Sequence, residues 1–283
     1  MPFIALKIRV AAAILGVALT VGLAGTSASA RAETITVGGT GSATPLIERF
    51  ASAYKSLKPD LSVKVIDPPM GSNGAVRAVL AGSVDLAFPG KPLTAEERAK
   101  GGQDWELGRT PFLVVTSKDA PSAGFSLEQM AAIYGGKVST WPDGSPIRLV
   151  LRSPSESDTR LLRELSPAMD AAVEAALART GMLVAANDQE NVDMLENTPG
   201  SLGATNLALL QARDRKLSAI PLNGVAPTLA NLAQGSYPHA KSIYVVRGSA
   251  LSPAAQGFLE FVLSASGRAI LDGAGYLAAP RQP

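Results

Sequence analysis

From Thr34 almost to the C-terminus, short apolar runs alternate with segments whose apolar residues recur at helical spacing. A chain built this way buries each run as a strand and folds the next segment back over it, so it is confined to parallel-type α/β architectures. Thr34 to Gly38 reads as a strand, and Leu46, Ile47, Phe50, Tyr54 and Leu57 then share a helical face. Pro45 suits the first turn of that helix, where its missing N–H costs nothing. The plan repeats with a strand at Val63 to Ile66, a turn from Met70 to Gly74, and Val76, Val79 and Leu80 on one face. Val84 to Phe88 makes a third strand, followed by a charged helix around Thr94 to Lys100 and an apolar strand from Phe112 to Thr116.

The middle of the chain carries its own set. The spacing predicts helices at Leu127 to Tyr134, Thr159 to Leu165 and Asp170 to Arg179, and strands at Ile147 to Leu151, Leu202 to Thr205 and Ser218 to Pro221. Ser242 to Val246 is a further strand, and Ser252-Pro253 caps a helix with Ala254, Phe258, Phe261 and Val262 on one face. If the strands Phe112 to Thr116 and Ser242 to Val246 both cross between lobes, residues 31–115 and 242–283 form a discontinuous first lobe and 116–241 a second. A cleft between them suits hinge closure on a ligand.

The N-terminus reads as a secretory signal peptide: Lys7 and Arg9, an apolar stretch from Val10 to about Leu23, then Ala28-Ser29-Ala30. Cleavage is expected after Ala30, with Ala32 as an alternative, which places the mature protein in the periplasm. Removing Lys7 and Arg9 takes the 26 basic residues to 24, equal to the 24 acidic ones. That balance argues against a nucleic-acid surface, which would cluster Lys and Arg among aromatics. With no cysteine the exported chain has no disulfide and must be held by its core; about 250 residues suffice.

Three loops share one construction, with small polar residues where a strand gives way to a helix. They are Gly39-Thr40-Gly41-Ser42-Ala43-Thr44-Pro45, Gly71-Ser72-Asn73-Gly74, and Arg152-Ser153-Pro154-Ser155-Glu156-Ser157-Asp158-Thr159. Each offers free backbone amides, a hydroxyl and the positive end of a helix dipole, which together suit a small oxyanion. The plain alternative is that these residues only cap helices. Arg152 adds a permanent charge with paired donors and is the expected anchor; its alternative is a surface or interlobe ion pair. Asp85 reads as a structural residue at a strand start.

No catalytic set competes with this reading. The sole histidine, His239, sits in an expected turn, and neither a Gly-x-Ser-x-Gly elbow nor a His-Glu-x-x-His signature is present. A binding or sensor module for another ligand or protein, and a secreted phosphatase-like hydrolase, are the competing classes; a chromogenic phosphate ester, with and without divalent metal, separates the last. Trp105 and Trp141 are isolated and read as packing residues, and no metal or cofactor is called for.

In their order along the chain these landmarks resemble the phosphate-binding proteins of phosphate ABC transporters, within the type II periplasmic binding protein group. The first loop looks like that family's first phosphate loop and Gly71-Ser72-Asn73-Gly74 like its Gly-Ser-x-Gly helix start. Ile133-Tyr134-Gly135-Gly136-Lys137 with Trp141, Gly200-Ser201-Leu202-Gly203, Gly224 to Thr228 and Gly235 to Pro238 match later landmarks. The resemblance implies a two-lobed α/β fold, each lobe a mostly parallel sheet flanked by helices, and a monomer serving a transporter permease without enzymatic activity. It implies ligand contacts at Ser42, Ala43, Thr44, Ser72, Arg152, Ser157 and Thr159. Two departures stand out. Glu156 and Asp158 replace both glycines of the family's Arg-x-x-Gly-Ser-Gly-Thr loop, which also gains one residue. Gly90 stands where the family commonly has a carboxylate that accepts a proton from phosphate, so Glu156 or Asp158 would have to supply the acceptor, or Lys91 would favour a fully ionised anion.

Overall fold

The computed structural model describes residues 33–119 and 123–280. The expected presequence, 1–30, lies outside them. The first unit runs β1 (Glu33–Gly39), a 3-10 turn (Gly41–Ala43), α1 (Thr44–Leu57), β2 (Leu61–Val65), α2 (Gly71–Leu80), β3 (Leu86–Phe88) and α3 (Ala95–Ala99). The long β4 (Gln103–Thr116) follows, then α4 (Leu127–Tyr134), β5 (Arg148–Arg152), α5 (Ser157–Glu164), α6 (Pro167–Ala178), β6 (Leu183–Ala185) and α7 (Asp188–Asn197). The chain continues through β7 (Ser201–Asn206), α8 (Leu207–Arg213), β8 (Ser218–Ile220), α9 (Leu229–Ala233) and β9 (Ala240–Arg247). It ends in α10 (Pro253–Leu263), α11 (Ala265–Asp272) and β10 (Leu277–Ala278).

One sheet joins these strands in the order β2-β1-β3-β9-β4-β7-β5-β6, with β8 and β10 also paired to β4. Its two wings, β2-β1-β3 and β7-β5-β6, are parallel, as strand–helix–strand connections require. The centre is antiparallel because β4 and β9 run through it in opposite directions. Gln103 to Pro111 of β4 lie against β9, whereas Phe112 to Val115 lie against β7, so one strand carries the chain from wing to wing.

Both faces of each wing are covered. In β4, Phe112 and Val114 enter one core with Met130, Tyr134, Leu151 and Met169, while Leu113 and Val115 enter another with Val150, Val192 and Leu209. The first wing likewise packs Val37, Ile47, Phe50, Phe88 and Phe258 on one face and Val76, Val79, Ala87 and Val246 on the other. This is why the strands read as continuous apolar runs instead of alternating ones. Asp85 is structural: one of its carboxylate oxygens accepts from both the amide and the hydroxyl of Thr36, each at 2.7 Å.

The observed elements differ from the sequence reading at definite places. The strand expected at Phe112 to Thr116 begins nine residues earlier, at Gln103. The segment between α6 and β7 holds β6 and α7, and α8, α9, α11 and β10 are also additional. No helix among the described residues is long and apolar enough to cross a membrane.

Candidate functional site

The strand-to-helix loops of both wings end at one point beside β9. On the first wing β1 must pass close to β3: a Cβ at Gly39 would lie 3.1 Å from Ile47 Cδ1 and 3.2 Å from the Phe88 carbonyl. Thr40 then donates its amide to Phe88 O (3.1 Å), and the tight 3-10 turn places Ser42 and Ala43 in the interior. Ser72, the second residue of α2, accepts the Gly90 amide at 2.9 Å, which ties the start of α2 to the end of β3. Gly90 itself is central. A Cβ there would stand 3.4 Å from Ser157 Oγ, 3.5 Å from Ser72 Oγ and 3.6 Å from Lys241 Cε.

The second wing brings the charge. Arg152 ends β5 and is 5% exposed, and its carbonyl accepts the Thr159 hydroxyl at 3.0 Å, fixing the start of α5. Arg152 Nη2 meets Glu156 Oε2 at 2.9 Å, while Nη1 lies 3.4 Å from Asp188 Oδ1 and 3.9 Å from Asp158 Oδ2. Lys241, buried on β9, bridges Asp158 and Asp188, the latter at 3.2 Å. Thr40 Oγ1 crosses from the first wing to donate to Asp188 Oδ2 at 3.0 Å. Gly41 packs so closely on Asp188 that a Cβ would sit 3.0 Å from its carboxylate.

These contacts decide the ionisation states. Burial opposes a charge on Asp188, but Lys241, Arg152 and the Thr40 hydroxyl outweigh it and hold the carboxyl well below the usual range. Burial opposes the Lys241 ammonium too, yet Asp158 and Asp188 push its pKa above the ordinary lysine value. Glu156 moves the other way: burial, reinforced by Asp188 and Asp158, raises it against the pull of Arg152 and Lys241. Of the six buried side-chain polar atoms without a hydrogen-bond partner among the described residues, three lie here: Arg152 Nε, Arg152 Nη1 and Asp158 Oδ2. Leaving such atoms unpaired is costly, so a group that pairs with them is favoured.

Capping separates this place from the rest of the molecule. Eight of the eleven described helices start under a Ser, Thr or Asn side chain that accepts a backbone amide. The other three, α1, α2 and α5, have no side-chain cap, and they are the helices that start at the three loops singled out in the sequence. Their first amides and dipoles are therefore available to an external acceptor, although Ala43 and Thr44 also donate to the Thr40 and Gly41 carbonyls within the 3-10 turn.

The structure thus brings Ser42, Ala43, Ser72, Gly90, Arg152, Ser157, Asp158 and Thr159 together as buried residues, with Glu156 at their rim and Thr44 half-buried one position beyond Ala43. Lys91 lines the groove beside Ser72 and Glu156 and is held in an ion pair with Glu97 at 3.1 Å. A groove of about 740 Å³ runs outward from Ser72, Glu156 and Ser157 between α2 and α5. Asp188 and Lys241 escaped the sequence reading. Asn187-Asp188-Gln189-Glu190 carries a helix-start pattern that marks the first. The second shares the strand phase of Ile243 and Val245, so a buried lysine is written into the alternation of β9.

The remaining singled-out residues pack. His239 stands edge-on to Tyr237, 5.3 Å between ring centroids, and burial lowers its pKa. Trp141 stacks on Phe125 and donates Nε1–H to Gly200 O at 3.1 Å, and Trp105 packs against the first core. No group of three or more His, Cys, Asp or Glu residues suited to a metal ion occurs among the described residues.

The family model described as a PBP superfamily domain matches residues 24–266. Among named relatives, the phosphate-binding protein PstS of Bacillus subtilis is 26% identical over 214 residues, 72% of this chain and 66% of that protein. The phosphate-binding protein PstS of Staphylococcus saprophyticus is 23% identical over 270 residues, 87% of this chain and 81% of that protein. Among solved structures, an ABC-type phosphate transport receptor from Vibrio cholerae is similar in fold, with TM-score 0.65 and 20% identity over 87% of this chain and 100% of that one. A phosphate binding protein from Stenotrophomonas maltophilia gives TM-score 0.69 at 14% identity over 88% of this chain and 91% of that one.

Proposed function

Because the chain belongs to the PBP superfamily domain family, a family of solute-binding proteins, we propose that it captures phosphate or a related tetrahedral oxyanion outside the cytoplasm and delivers it to an ABC transporter permease. The observation that carries this reading is the coincidence of three uncapped helix starts with a buried arginine whose Nε and Nη1 have no hydrogen-bond partner. Helix dipoles and a desolvated guanidinium converging on one point stabilise an anion and little else. The relatives whose names specify a ligand specify phosphate, which supports that choice.

In this reading Ser42, Ala43, Thr44 and Ser72 contribute from the β1 wing and Arg152, Ser157 and Thr159 from the β5 wing. Hydrogen bonds to a charged group are worth roughly 1.5–3 kcal/mol each and micromolar affinity requires only about 8 kcal/mol net, so four to six contacts suffice after desolvation. Residues 31–115 with 242–283 and residues 116–241 act as lobes that close on the anion by bending where β4 and β9 pass between them. Closure is favoured because only the closed form presents both sets of donors to one ion. Residues 1–30 serve as the export signal, and the protein acts as a monomer without catalysis, metal or cofactor.

Titration calorimetry of stripped protein with phosphate, sulfate, molybdate and tungstate, at pH 6 and pH 8, tests the reading. At least one of these anions is expected to bind at about micromolar strength or tighter; a panel in which none binds below about 1 mM would remove the assignment.

A further inference from the structure

The wall facing the proposed anion already holds more negative than positive charge. Arg152 and Lys241 stand against Asp158, Asp188 and Glu156, all within one connected set of ion pairs. With every group ionised the set carries one net negative charge, and an incoming anion increases it. Like charges a few ångströms apart in a water-poor interior repel strongly, so such a site is stable only if a proton arrives with the ion.

The three carboxylates are not equivalent in their hold on charge. Asp158 and Asp188 both contact Lys241, and Asp188 also takes the Thr40 hydroxyl. Among the described residues Glu156 touches one cation, through Arg152 Nη2, and its side chain, 20% exposed, borders the groove. Its other oxygen faces Gly71 at the start of α2, which brings no ionisable group; a Cβ there would lie 3.4 Å from Oε1. The nearby groove cations are engaged elsewhere, Lys91 with Glu97, Arg160 with Glu164 and Arg163 with Asp170.

Resting on the oxyanion reading, we infer that this chain binds its anion together with a proton, and that Glu156 is the residue that takes it. The proton comes from solvent and adds to a Glu156 carboxylate oxygen. The neutral carboxylic acid releases Arg152 Nη2, which turns with the unpartnered Nε to the ligand while Nη1 keeps its ion-pair contacts with Asp188 and Asp158. Glu156 is thus a positioning residue that admits anions to Arg152 according to pH. The direction in which burial and its acidic neighbours move its ionisation agrees with this role.

The experiment is calorimetry of the full mature chain with sulfate and with phosphate, in two buffers of different ionisation heat, from pH 5.5 to 8.5. Sulfate carries no proton in this range, so any uptake on binding it belongs to the protein. The wild type is expected to take up about one proton per anion near neutral pH, with affinity falling about tenfold per pH unit above the Glu156 midpoint. Glu156→Gln is expected to bind sulfate with flat affinity across the range and to lose the buffer-dependent heat, while phosphate retains only the uptake due to its own second ionisation. Buffer-independent heats in the wild type, or full uptake surviving in Glu156→Gln, would overturn the inference and leave the oxyanion reading intact. Failure of every anion to bind at any pH would overturn both. The wild-type heats need no variant, so the result stands even if the substitution impairs folding.

Discussion

The two wings of the sheet reach the same point with opposite chemistry. The β1 wing brings hydroxyls and amides alone, from Thr40, Ser42, Ser72 and Gly90, whereas the β5 wing brings Arg152, Glu156, Asp158 and Asp188. Lys241 stands between them on β9. Neutral donors on a tight backbone turn stabilise any small anion; fixed charges decide how much charge, and how many protons, that anion brings. In the proposed reading capture and selection are therefore divided between the wings, which the Thr40 hydroxyl joins by donating to Asp188.

That division can be broken most severely at Lys241. Lys241→Met leaves Asp158 and Asp188 buried with Arg152 as their only cation among the described residues, and is expected to destabilise the fold by about 3–5 kcal/mol in urea unfolding. Stability within about 1 kcal/mol of wild type would show that the carboxylates relax into water and that the charged wall is not a fixed structure. Arg152→Ala removes the only cation among the described residues that contacts all three carboxylates, and is expected to weaken oxyanion binding by roughly 2–5 kcal/mol in calorimetry. Unchanged affinity would transfer the whole site to the neutral wing.

Acid titration sharpens the contrast within the charged wing. Asp188 is held below its ordinary value of 3.8, so the stability it contributes is complete above that pH and lost as pH falls further. Glu156 is raised above 4.5, so its contribution has the opposite sign: it is present in acid and lost as pH rises through the raised value. Thermal midpoints measured from pH 2 to 8 are expected to show a shallower acid limb in Asp188→Asn. A limb as steep as wild type would place the acid sensitivity on other carboxylates. The smallest effect belongs to the neutral wing: Ser72→Ala leaves the buried Gly90 amide unpaired and is expected to cost about 1–3 kcal/mol in stability by chemical denaturation, without altering the pH dependence of binding.

Much of the neutral wing was legible because its cues are local. A small-residue loop after an apolar strand and before a Pro-started helix names its own geometry, and α4 occupies the expected Leu127–Tyr134. The charged wing was legible only in part. Arg152 and the start of α5 announce themselves at the end of a strand, but α7 hides. Its inward face is Asp188, Asn191, Val192 and Leu195, half of it polar, so the apolar period that reveals a helix is missing. Those polar residues are buried because their partners arrive from elsewhere: Asn191 Nδ2 donates to the Ala204 carbonyl at 2.8 Å, and Lys241 reaches Asp188 from fifty-three positions away. The first half of β4 escaped for a related reason, since Gly108 and Pro111 interrupt it and its pairing with β9 is wholly non-local.

The sequence by itself determined an α/β chain with three anion-suited helix starts and an arginine beside one of them, because strand runs, helical period and turn chemistry act over a few residues. Only the tertiary structure decided which of those helix starts go uncapped, that Gly90 lies against Ser157 and Lys241, and that three carboxylates surround the arginine. Net charge at a buried point is a sum over side chains that the fold gathers from distant positions, and no local pattern along the chain contains that sum.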